Sequence, residues 1–78
     1  MAAGDIETYF DDADNLWKNR VQGNQRASST HVTKDEAVAA GRRRAIADGV
    51  EHFIKNKDGR IGERNTYPRS RDPRSSKG

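Results

Sequence analysis

The residues able to do chemistry are few and scattered. Asp12 and Asp14 have the alternate spacing that opens a calcium loop, but such a loop needs glycine at its sixth position and a bidentate glutamate at its twelfth. Counted from Asp12, those positions hold Trp17 and Gly23, so calcium is not expected. His31 and His52 stand apart, and the chain has no cysteine, so zinc is not expected either. Ser28, Ser29 and Thr30 precede His31, yet adjacent strand residues point to opposite faces, and Thr30 and His31 do not assemble a nucleophile with its base. Asp11 and Asp12 fall in an open loop, where nothing raises a carboxyl toward acid catalysis. Gly23 and Gly59 occur singly in turns and form no phosphate-cradling run. The expectation is a protein that is not an enzyme and uses no metal or other cofactor.

The cations carry more information. The 78 residues have a net charge of +3, but residues 1–16 hold five acidic groups and no basic one, while residues 17–78 hold all 15 lysines and arginines. Such asymmetry suits a polyanionic partner for the basic part. Charged residues reach 35 % and apolar ones only 31 %, so one small domain is the limit and its core is thin.

These side chains have to be positioned by short elements. Thr33 with Glu36 three residues later forms a capping box, Asp35 and Glu36 suit the positive end of a helix, and Gly49 supplies a left-handed stop. A helix therefore spans 33–49, with Ala37, Val38, Gly41, Ala45 and Ile46 in one arc facing a sheet. Arg42 falls inside that arc, where its methylenes would cover the core and its guanidinium would reach out.

Ile6, Thr8 and Phe10 alternate on a first strand, and Trp17, Asn19 and Val21 share a face of a second over 16–21. A third strand is expected over 26–31. A three-residue loop, Gly23 to Gln25, pairs Trp17 with His31, whereas a two-residue loop pairs it with Thr30 and scatters the apolar groups. We expect the former. Residues 50–56 read as a fourth strand, and Asp58-Gly59 turns the chain into a fifth over 60–64. Both two- and three-residue loops give this last hairpin a defensible register.

The fold class expected is α+β: a small antiparallel sheet of two hairpin units with one helix packed on one face. The domain is assigned to residues 1–66. Residues 67–78, rich in Arg, Ser and Pro, read as a disordered basic tail. No apolar run spans a membrane and the first residues lack signal-peptide character, so a cytoplasmic protein is expected.

A succession of motifs joins these elements: Trp17 to Val21 with Gly23-Asn24 and Arg26-Ala27-Ser28; Thr33-Lys34 with Glu36-Ala37-Val38; Asn56-Lys57-Asp58-Gly59-Arg60-Ile61; and Tyr67 with Asp72-Pro73. It resembles a family of small bacterial and actinophage proteins grouped as a domain of unknown function, over roughly residues 6 to 74. The resemblance implies the same sheet-plus-helix layout and a bacterial or phage cytoplasmic setting. It implies no catalytic residue. Lys55 departs from relatives that often carry His before the turn.

Nucleic-acid binding is the leading expectation, DNA above all. Lys18 and Arg20 should face away from Trp17, Arg26 should share that outer side, Lys55, Lys57, Arg60 and Arg64 extend the patch, and Arg69, Arg71, Arg74 and Lys77 of the tail add delocalised phosphate contacts. Tyr9 is the aromatic expected to face outward beside them. The alternative is a protein-interaction or regulatory module that binds a host protein or itself, including a homodimer built across an exposed edge strand.

Overall fold

A computed structural model describes residues 3–67. The sequence of elements is β1 (Ile6–Asp11), β2 (Leu16–Val21), β3 (Ser29–His31), α1 (Lys34–Asp48), β4 (Glu51–Lys55) and β5 (Ile61–Thr66). The five strands form one sheet in the order β3-β2-β1-β4-β5, with α1 packed on one face. The α+β class holds. The tail assigned to 67–78 lies, past Tyr67, outside the described residues.

Both hairpin units are antiparallel, but they join through a parallel pair, β1 beside β4, with Ile6 opposite His52 and Thr8 opposite Ile54. The sheet is therefore mixed rather than wholly antiparallel. The helix is the reason. Its 15 residues carry the chain back about 22 Å, so β4 starts at the end of the sheet where β3 started. It must then run in the direction of β3 and β1.

Local signals act as expected at both helix ends. Thr33 Oγ1 accepts the Glu36 N–H at 3.2 Å. Gly49 sits at φ 68°, and the Val50 and Gly49 N–H groups return to the carbonyls of Ala45 and Ile46, which closes the last turn. Between these ends only Ala37, Gly41 and Ala45 are buried. Spaced by four, they form a stripe of small residues that lets the helix lie low on the sheet. Val38 is half-buried, and Ile46 is 51 % exposed on the helix flank.

Trp17 pairs with His31 as the three-residue loop requires. The third strand, however, is only Ser29–His31. The Asn19 carbonyl accepts from both the Ser28 N–H (2.7 Å) and the Ser28 Oγ–H (3.2 Å). The ladder ends there, because Gly23 to Arg26 are polar and exposed and nothing apolar holds them to the sheet. In the last hairpin Lys55 pairs with Ile61 around a bulge at Ile54/Lys55, and Gly59 turns at φ 87°. No helix among the described residues is long and apolar enough to cross a membrane.

The helix touches β1, β2, β3 and β4 but not β5. A groove of about 430 Å³ is left between them, lined by Lys34, Asp35, Val38, Ala39, Arg42, Ile54 and Glu63. Arg42 is exposed along its wall.

Candidate nucleic-acid interface

The face of the sheet away from the helix follows from strand alternation. Glu7 lies opposite Arg20 in β2 and beside Phe53 in β4, and Phe53 lies opposite Arg64 in β5. Arg20, Glu7, Phe53 and Arg64 thus form one row across four strands. Glu7 is 1 % exposed. One carboxylate oxygen accepts from Arg20 Nη2 at 2.7 Å and Gln22 Nε2 at 2.8 Å, and the other pairs with Lys55 Nζ. Burial pushes the Glu7 carboxyl up, but the hydrogen bonds and charges of Lys55 and Arg20 outweigh it and hold the group below its ordinary value. Two cations share one anion, so the cluster keeps a surplus positive charge. Arg20 also lies over the outward Tyr9 ring, 5.2 Å from its centroid.

Lys18 shares this face but is taken up by acids of the β1–β2 loop. It donates to Asp11 at 2.9 Å and pairs with Asp14. The hydrogen bonds it donates to Asp14 and Asp11 hold its ammonium well above the ordinary lysine range, and the Lys18 hydrogen bond lowers Asp11 in turn. Arg26 sits in the exposed loop before β3, not on the outer sheet face as the longer strand would have placed it. Lys57, Arg60 and Arg64 are exposed on the β4–β5 hairpin, and among the described residues none has an acidic partner at ion-pair distance. Lys57 reaches over the Phe10 ring at 4.8 Å. Of the seven cations the sequence singles out, Arg20 and Lys55 meet at Glu7 and Arg64 lies in the same row of the outer face. Lys57, over Phe10, instead reaches to the helix side of the sheet, and Arg60 is exposed in the β4–β5 turn.

Glu7 is the residue that sequence reasoning missed. Its alternation with Ile6 and Thr8 places it outward, but only the β1–β2 and β1–β4 registers show that two cations close over it. Replacing it by Gln should destabilise the fold by about 1–2 kcal/mol at pH 7, less than the loss for a fully buried pair because Arg20 and Lys55 can still reach water. The folded carboxyl is depressed, so its contribution is present above about pH 4.5 and is lost as pH falls through the folded value. Urea unfolding of the Glu7→Gln variant should accordingly converge on the parent at strongly acidic pH, and a constant gap across that range would contradict the ion-pair assignment.

The covered face holds a second polar arrangement. Thr8 Oγ1 lies 2.5 Å from Asn19 Oδ1 and 2.6 Å from His52 Nε2. Asn19 Nδ2 donates to Ser29 Oγ at 3.1 Å and to the Ala37 carbonyl at 2.8 Å. Asn19 Oδ1 can only accept, so the Thr8 hydroxyl donates to it and His52 Nε2 must carry the proton that Thr8 accepts. This leaves Nδ1 of the buried ring as a bare acceptor with no hydrogen-bond partner among the described residues. Burial lowers the His52 pKa; nearby Glu63 opposes the shift and Arg42 adds to it. These bonds tie β4 to β1, β2 and the helix. No three His, Cys, Asp or Glu side chains among the described residues are grouped to hold a metal ion.

A family model described as an uncharacterized protein conserved in bacteria (DUF2188) matches residues 6–67. No curated protein and no solved structure matches the chain.

Proposed function

We propose, for a chain that belongs to the DUF2188 family and takes no activity from it, that it binds nucleic acid through the phosphate backbone. The contact surface is the open face of β2, β1, β4 and β5. The observation that carries this is the Glu7 cluster: Arg20 and Lys55 are held in place by one buried carboxylate, on the same face as Arg64. Arginine and lysine heads can hydrogen-bond phosphate oxygens, and holding them in order reduces the entropy lost on binding. Lys18, neutralised by Asp11 and Asp14, contributes little. The contacts are to backbone, so binding is weakly selective for sequence.

Fluorescence anisotropy with labelled duplex and single-stranded DNA tests this. Affinity should fall steeply between about 50 and about 200 mM salt, and each of Lys57→Ala, Arg60→Ala and Arg64→Ala should reduce the slope of log K against log salt by about one. Lys18→Ala should leave that slope nearly unchanged. Absence of binding at low salt would overturn the proposal.

A further inference from the structure

The β5-side flank of α1 is exposed although it carries apolar residues. Asp35, Ala39, Arg42 and Ile46 follow the four-three-four spacing of a helix seam, with Val38 and the groove beside them. Neither Asp35 nor Arg42 has an ion-pair partner among the described residues. Ile46 near the end of the helix is 51 % exposed, and Val32, just before its N-cap, is 75 % exposed.

This flank complements itself. A two-fold axis midway between Val38 and Ala39 makes two such helices antiparallel and places residues equally far from the axis opposite one another. Asp35 and Arg42 are equidistant from that point, so each would meet its counterpart of opposite charge. Ile46 lies about 11 Å from the axis along the helix, toward the end where the partner's helix would begin. The small Ala39 permits close approach, and β5, which α1 does not touch, would lie beneath the incoming partner.

We propose that this flank of α1 is the contact for a second copy of the chain, the two helices antiparallel with Asp35 of each protomer against the partner's Arg42. The interface is on the opposite side of the sheet from the Glu7 cluster and does not depend on nucleic-acid binding. It also differs from a dimer built across an edge strand, which would leave the helix flank exposed.

Sedimentation of the full chain from about 10 µM to about 1 mM at low salt tests it by mass action. The mass should rise from 8.7 kDa toward twice that value. Arg42→Asp should weaken association by about tenfold or more, and Ile46→Lys should weaken it independently. Adding Asp35→Arg to Arg42→Asp should restore association to within a few-fold, with helical circular dichroism confirming the fold of each variant. A monomer at every concentration, or a dimer indifferent to Arg42→Asp and Ile46→Lys, would overturn the proposal.

Discussion

Gly41→Ala should destabilise the protein by about 2–3 kcal/mol, the reverse of what the same change does on an exposed helix, where alanine gains about 1 kcal/mol over glycine. Gly41 faces the sheet directly above the buried polar chain. A Cβ there would come within 2.5 Å of Asn19 Oδ1, 2.7 Å of His52 Nε2 and 2.9 Å of Thr8 Oγ1. None of the three can retreat, since each holds a hydrogen bond to another and all three residues are at most 2 % exposed. The helix must lift, and lifting it also stretches the Asn19 bond to the Ala37 carbonyl. Thermal or urea unfolding of the variant gives the sign. A neutral or stabilising effect would show that the helix does not lie on the sheet as closely as described.

Acidification should weaken the fold well before the carboxylates titrate. The folded state favours neutral His52, whose pKa is held below 6.5 by burial. With the folded pKa depressed, the neutral ring's contribution is present above about pH 6.5 and is lost as pH falls through that value toward the folded one. Geometry agrees: Nε2 already carries a proton, and a second on Nδ1 would meet no acceptor among the described residues. The charged groups acting on the ring are Glu63 from β5 and Arg42 from α1, with opposite effects. His52→Gln keeps a donor toward Thr8 without a titrating ring, so its stability should be flatter across this window even if lower overall. Equal slopes for parent and variant would remove His52 as the cause. Glu7 acts in a separate, lower range, which keeps the two effects distinguishable.

Much of this architecture is legible in the sequence where the signal is local. Thr33, Glu36 and Gly49 mark the helix because caps act within one turn. The Trp17–His31 register follows from hydrophobic alternation across a short loop. The length of β3 does not follow, because it turns on how Ser28 closes against the Asn19 carbonyl. Nor does the contact of His52 with Thr8, which are 44 residues apart and meet only because β4 pairs in parallel with β1. The same pairing brings Lys55 to Glu7. Composition shows Lys18, Arg20 and Lys55 as free cations, yet the structure ties each to a carboxylate. The positive surface therefore moves toward Arg64 and the Lys57–Arg60 turn.

One measurement bears most directly on the open sheet face as the binding surface. In a titration of the isotope-labelled protein with a short DNA at low salt, amide and side-chain resonances of Arg20, Lys55, Lys57, Arg60 and Arg64 should move together. Those of Ala40 and Arg43 on the outer helix should stay in place. Shifts confined to the helix, or none at all at saturating DNA, would contradict it.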